Sequence, residues 1–214
     1  GVLLGVMTLN IVMAVMTGFE EDLRNRILGF NPHIILSSLS GGITDYQQAV
    51  NKVRGVPGVV AAAPIVYGQV MVSSRQSVSG VVVRAVEPDH ASDIVNVAPR
   101  LTKGAIDELG REQKVTIREG DEERTVQLSG ILIGKELAKQ LKVEVGDPIS
   151  LISPTQSTPG PMGMVPKLRR FVVVGIFDSG MYDYDATLMY MGLADAQKFF
   201  ELGDRVTGIE VRVD

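Results

Sequence analysis

The chain has no cysteine. Disulfides, thiolate metal ligands and a thiol nucleophile are therefore excluded, an absence that fits an oxidising compartment without requiring one. Histidine is almost as scarce, with only His33 and His90. Neither stands in an H-x-x-x-H spacing or beside paired carboxylates, so both read as structural or surface residues and no metal site is expected. There is no excess of basic charge: the net charge is −4. The longest basic cluster, Lys167, Arg169 and Arg170, is too small to track a phosphate backbone, which excludes nucleic acid as a partner.

Catalytic and nucleotide-binding signatures are missing as well. No serine lies in G-x-S-x-G or S-x-x-K. No phosphate-binding G-x-x-x-x-G-K-[ST] loop occurs, and the glycines of Gly55–Gly58 are wrongly spaced for a dinucleotide fingerprint. Asp183 and Asp185 would suit an acid–base pair by residue type, but without a third group they read as solvated or capping carboxylates. The expectation is a protein with no catalytic residues, no cofactor and no metal.

What the 214 residues do contain is about 45% apolar and 21% charged side chains, enough for a core in one or two domains. The most conspicuous feature is the run Gly1–Thr17, with no charge before Glu20. It opens abruptly, as a piece cut from a longer chain would. As a helix, Gly1–Gly18 would measure about 27 Å, close to the ~30 Å hydrocarbon core of a bilayer. It therefore reads as the outer part of a transmembrane helix, with a buried core helix as the alternative; the basic n-region and cleavage site of a signal peptide are not visible. Beyond it, Met16, Phe19, Leu23 and Ile27 recur at three- and four-residue spacing opposite charges. One helix leaves the membrane and continues as an amphipathic stalk, ended by Gly29 and Pro32. A helical stalk transmits motion that a Gly/Ser linker would absorb.

Further along, the pattern predicts strands at His33–Ser37, Val59–Ser73 (interrupted at Pro64 and Gly68) and Ser79–Val86, with a helix over Thr44–Arg54 capped by Thr44. Glu87–Ile106 loosens into a boundary. An exposed hairpin is expected around Glu119–Glu123. Gly130–Gly134 leads to a helix at Lys135–Leu141, and strands follow at Ile149–Leu151 and Phe171–Phe177. Residues 181–185 (MYDYD) read as a loop. Thr187–Met191 is expected to be extended, Leu193–Phe200 helical, and Val206–Val213 a last strand completing the sheet begun near His33, which makes the middle of the chain an insertion.

Ser153–Pro166 (SPTQSTPGPMGMVP) lies between two strong strands. Its four prolines stiffen the backbone, its glycines permit turns, and regular sheet throughout is not expected. A stiff loop loses little entropy on docking, and Met162, Met164 and Val165 would offer a soft apolar contact with Lys167, Arg169 and Arg170 behind them. An apolar finger with a basic base suits a greasy, acidic-rimmed partner. An ordinary Pro-rich hairpin loop has the same composition.

Three segments in order carry a wider likeness: GFEEDLRNRILGFNPHIIL, GILIGKELAKQLKVEVGDPISLISP and RRFVVVGIFDSGMYDYDATLMYMGLADAQ. Through them the chain resembles the LolC/LolE permeases of lipoprotein-releasing ABC transporters, within a superfamily that includes MacB-type efflux and FtsX-type permeases. The resemblance implies an α+β, MacB-like periplasmic core domain: residues 1–29 as the end of the first transmembrane helix and stalk, 30–88 with 171–214 as an α/β (Porter-like) subdomain, and 89–170 as an inserted β-rich (Sabre-like) subdomain carrying a hook at 153–166. It implies location at the inner membrane with this domain in the periplasm. It also implies a separate cytoplasmic ATPase of the LolD kind, a second permease or another copy of this one, lipoprotein substrates, and a LolA-like periplasmic carrier. The hook would comprise Pro159, Pro161, Met162, Met164 and Val165, and the pad Lys167, Arg169 and Arg170. Two pad positions depart from the LolC pattern, with Ser150 in place of an arginine and Leu168 in place of a glutamine. A MacB- or FtsX-type permease and a membrane-anchored ligand-binding protein are the alternatives.

Overall fold

A computed structural model describes residues 1–28, 34–38, 41–88, 97–119, 122–160 and 163–213; side chains are described throughout these except at 22–28, 118, 119, 122, 154–160, 163 and 164. His33, His90, Gly29 and Pro32, on which the sequence placed structural or helix-ending roles, lie outside the described residues.

The chain divides into two compact units, Gly1–Asn31 and Pro32–Asp214. In the first, α1 runs over Val2–Leu28. Its stretch Val2–Glu21 is long and apolar enough to cross a membrane, and none of it is buried by the rest of the protein. Thr8, the polar interruption of the run, turns its hydroxyl back to the carbonyl of Leu4 at 2.8 Å, which removes a donor that lipid could not satisfy.

The second unit is an α+β fold. Its elements are β1 (Ile34–Ser37), α2 (Tyr46–Arg54), β2 (Val59–Ser73), β3 (Val78–Val86), β4 (Leu101–Gly104), β5 (Glu112–Glu119), β6 (Glu122–Gly134), α3 (Lys135–Leu141), β7 (Pro148–Gly160), β8 (Gly163–Phe177), α4 (Tyr182–Thr187), β9 (Leu188–Gly192), α5 (Leu193–Phe199) and β10 (Gly208–Val213). One sheet runs in the order β1-β10-β2-β3-β9-β6-β8-β4, with β5 on β6 and β7 joining β2 to β8. Because β7 contacts both β2 and β8, the pairings β2-β3-β9-β6-β8-β7 close on themselves. The inward residues of this circuit, among them Val83, Ile133, Leu151, Phe171 and Met189, share one core with Leu137 of α3 and Phe199 of α5. α2 covers a smaller cluster through Val50, packed with Ala62, Ile209 and Val211.

Several expectations need correction. β2 is continuous through Pro64 and Gly68. Pro64 falls in the half of β2 that pairs with β10 alone, before the β3 ladder begins at Val66, so its missing N–H costs no second ladder. At Gly68 an added Cβ would sit 2.2 Å from Cζ of Phe200, so the glycine makes room for a ring and does not interrupt the strand. α2 begins after Asp45, which holds a left-handed φ of 51° and makes no side-chain cap, in place of the expected cap at Thr44. MYDYD is not a loop, for Tyr182–Thr187 is helical. Too short for a periodic signal, α4 is set by its ends: the amide of Ser179 donates to Oδ1 of Asp185, and the Thr187 hydroxyl donates to the Asp183 carbonyl. The loosened stretch before Ile106 contains the edge strand β4.

Candidate functional site: the hairpin and its base

β7 and β8 form a long antiparallel hairpin. Near the sheet, Pro148 to Ile152 pair in register with Val172 to Leu168; beyond a shift between Ile152 and Ser157, pairing resumes as Ser157 with Pro166, Thr158 with Val165, Pro159 with Met164 and Gly160 with Gly163. The extra residues on β7 form a bulge, which bends a strand and interrupts its ladder. The distal four pairs extend about 13 Å at the usual rise per residue. Pro161 and Met162 lie outside the described residues, as do the side chains of Pro159 and Met164. Val165 is 48% exposed on the distal arm.

The expected restriction on regular sheet is therefore local. Pro159 and Pro166 take part in the pairing, and among the described residues of the segment the irregularity is confined to the bulge.

The pleat divides the predicted pad between two faces of β8. Leu151, fully buried, is the register partner of Arg169, and Ile149 that of Phe171, so Arg169 and Lys167 lie on the side facing α5. There Nη2 of Arg169 donates to Oδ1 of Asp195 at 2.8 Å, and Nζ of Lys167 donates to Oε1 of Glu201 at 2.8 Å and to the carbonyl of Lys198 at 3.1 Å. The Arg169 guanidinium also lies 5.1 Å from the centre of the Phe171 ring. On the other face two rows cross three strands: Met71, Ile152 and Leu168, then Ser73, Ser150 and Arg170. Met71 and Leu168 are 45% and 56% exposed. The two positions that depart from the LolC pattern, Ser150 and Leu168, thus lie in adjacent rows of one face, together with Arg170.

Asp195 and Glu201 were not singled out from the sequence. They lie more than 25 residues from their cationic partners, and no local spacing signals such a pairing.

Among the described residues the other titratable groups are dispersed over separate contacts. Asp183 is exposed, whereas Asp185 is buried and holds the turn before α4 through the Ser179 amide. Burial is the main cause that raises the Asp185 carboxyl above the usual carboxylate range. Asp178 is shifted the other way by its hydrogen bond to Lys135, whose Nζ lies 2.8 Å away. The buried polar cluster Tyr67, Arg84, Tyr190 and Glu210 is consumed in mutual contacts inside the sheet. An open cleft of about 440 Å³ beside the β2–β3 turn is bordered by Arg75, Glu123, Lys142 and Asp147. Among the described residues no group of three or more His, Asp or Glu could hold a metal ion.

A family model described as the MacB-like periplasmic core domain matches residues 1–214. The chain belongs to this family. As a MacB-like periplasmic core domain it lies in the periplasm, and the apolar α1 fits anchoring in the inner membrane. Over 214 residues it is 32% identical to the lipoprotein-releasing system transmembrane protein LolC of Xylella fastidiosa (strain Temecula1), covering all of this chain and 47% of that one. It is 28% identical over 213 residues to LolC of Neisseria meningitidis serogroup B, covering 100% and 48%. Against LolE of Haemophilus influenzae the identity is 26% over 220 residues, covering 100% and 48%. The chain spans about half the length of these curated relatives. Among solved structures, the periplasmic region of MacB from Actinobacillus actinomycetemcomitans aligns with a TM-score of 0.48 at 11% identity, covering 84% of this chain and 73% of that one.

Proposed function

We propose that this is the periplasmic domain of an ABC-transporter permease that releases lipoproteins from the inner membrane and passes them to a LolA-like carrier. The β7–β8 hairpin is the docking arm. ATP is hydrolysed on a separate cytoplasmic subunit, and α1 brings the resulting motion to a domain that itself performs no chemistry. The pieces 30–88 and 171–214 form the platform, and 89–170 contributes the arm. Likeness to LolC and LolE over the whole of this chain supports the system, and the β7–β8 pairing that continues past the bulge as far as Gly160 with Gly163 is the observation that carries the docking role. Hairpin pairing preorganises the arm, so less ordering entropy is lost when its tip enters an apolar opening. The Leu168–Arg170 face then meets the carrier's rim with apolar surface and one cation, where a LolC-like pad would present more polar groups.

The test is calorimetry between the full-length permease and a LolA-type carrier. Met162→Asp combined with Pro161→Gly is expected to cost about 2 kcal/mol or more, the scale of an interface hot spot. Unchanged affinity would show that the arm does not dock.

A further inference from the structure

We propose that α5 aims the hairpin, with Asp195 and Glu201 as positioning residues that fix the direction in which β7 and β8 leave the sheet. The inference rests on the docking reading for its purpose, but its geometry is independent of any carrier.

The hairpin has a weak point at its root. Between the pairs Ile152–Leu168 and Ser157–Pro166 the β7 side carries its bulge, and the residue of β8 facing that gap is Lys167. Backbone pairing alone leaves a bend there, since a bulge interrupts the ladder and changes the local twist. The two side chains that leave β8 toward α5 at this level are Lys167 and Arg169, and both reach carboxylates, at 2.8 Å each. The clamp thus holds β8 at the interruption, through Lys167, and one turn of the pleat closer to the sheet, through Arg169.

Three further observations distinguish it from a chance surface pairing. Asp195 is only 10% exposed, and its Oδ1 also accepts from the buried Ser129 hydroxyl of β6 at 3.1 Å, so this end is held from two strands. A buried carboxylate is costly without such partners. Glu201 sits at φ 55°, a left-handed conformation uncommon outside glycine, asparagine and aspartate, at the position that presents its carboxylate to Lys167. Finally, rings continue the contact inward: Arg169 stacks over Phe171, which meets Phe199 edge-on with centres 6.4 Å apart, and Phe199 meets Phe200 at 5.1 Å. Beyond Glu201 the chain proceeds to β10, the partner of β1. A shift of that sheet edge therefore reaches the hairpin by two routes, the β10–β2–β7 pairings and the turn after α5 that carries Glu201.

The experiment uses the full-length permease assembled with its ATPase, carrying spin labels at Thr158→Cys on the hairpin and Gln48→Cys on α2, without carrier. Wild type should give a narrow distance distribution. D195N/E201Q should broaden it while leaving the circular dichroism of a folded protein, and the charge exchange R169D/D195R should restore a narrow one. Where the double variant does not fold, E201Q alone, at a 61% exposed carboxylate, must broaden it. Carrier affinity should fall about tenfold in the broadened variants, equivalent to roughly 1.4 kcal/mol. An unchanged distribution, or a charge exchange as broad as D195N/E201Q, overturns the positioning role. Failure of the wild type to bind carrier would instead strike the docking reading and leave the distance result intact.

Discussion

Arg84 and Glu210 form an ion pair at 2.5 Å with side chains only 2% and 1% exposed. Tyr67 donates to the same carboxylate at 2.8 Å, and the guanidinium reaches the Tyr190 hydroxyl at 3.4 Å. Arg84 lies opposite Tyr67 on β2 and beside Tyr190 on β9, so the network ties four strands together. Burial above all pushes the Tyr190 phenol up to about 12 and that of Tyr67 higher still, so both stay protonated. Removing one member of such a pair strands a charge in the interior. Glu210→Gln should therefore destabilise the domain by about 3–5 kcal/mol in urea unfolding, and Arg84→Met with Glu210→Gln should cost less than the sum of the two single changes.

Gly68→Ala tests the reading of that glycine as room for a ring. The new methyl would meet Phe200 at 2.2 Å, and overpacking of this kind costs about 1–3 kcal/mol. Combining it with Phe200→Leu should recover part of the loss, because the collision is with a side chain and the backbone of Gly68 needs no positive φ. Equal melting temperatures for the single and double variants would refute this account.

The two carboxylates before and within α4 predict opposite pH behaviour. Burial, the largest cause, raises Asp185. A carboxyl raised in the folded state contributes stability that is complete below its unfolded value, about 3.9, and lost as pH climbs through the folded one. Asp185→Asn cannot ionise, so its stability relative to wild type should improve between pH 4 and pH 7. Asp178, held low first by its hydrogen bond to Lys135, contributes stability that fades as pH falls below the unfolded value, and Asp178→Asn should flatten the acid limb. Thermal midpoints at pH 4 and pH 7 decide the sign for Asp185, and midpoints followed from pH 4 down to about pH 2 decide that for Asp178.

Val2, Leu3, Val15 and Phe19 are each more than 60% exposed on α1. A protein of residues 1–214 should therefore associate in plain buffer and disperse in detergent, while removal of residues 1–21 should give a monomer. Sedimentation showing a monomer of constant mass for the longer protein would contradict this.

Much of the sheet is legible because its signals are local. Val81, Val83 and Val86 of β3 and Val172, Val173 and Val174 of β8 are buried, and so carry the apolar excess that marks an inner strand. β1 and β10, read as one sheet from opposite ends of the sequence, are antiparallel neighbours. The failures are equally physical. Pro64 and Gly68 look like breaks until their neighbours are known, and α4 is created by Ser179 and Thr187 hydrogen bonds that leave no periodic trace. In the candidate site the hairpin was visible as composition, but the division of Lys167, Arg169 and Arg170 between two faces depends on register. The clamp depends on partners remote in sequence.

The pairing of Ile34 with Val211 makes the polypeptide enter and leave the sheet at the same corner. Traction that separates the incoming and outgoing strands there would undo their hydrogen bonds singly, like a zipper, and needs little force at any instant. Traction that moves both together loads no bond between them and carries the whole sheet as one body.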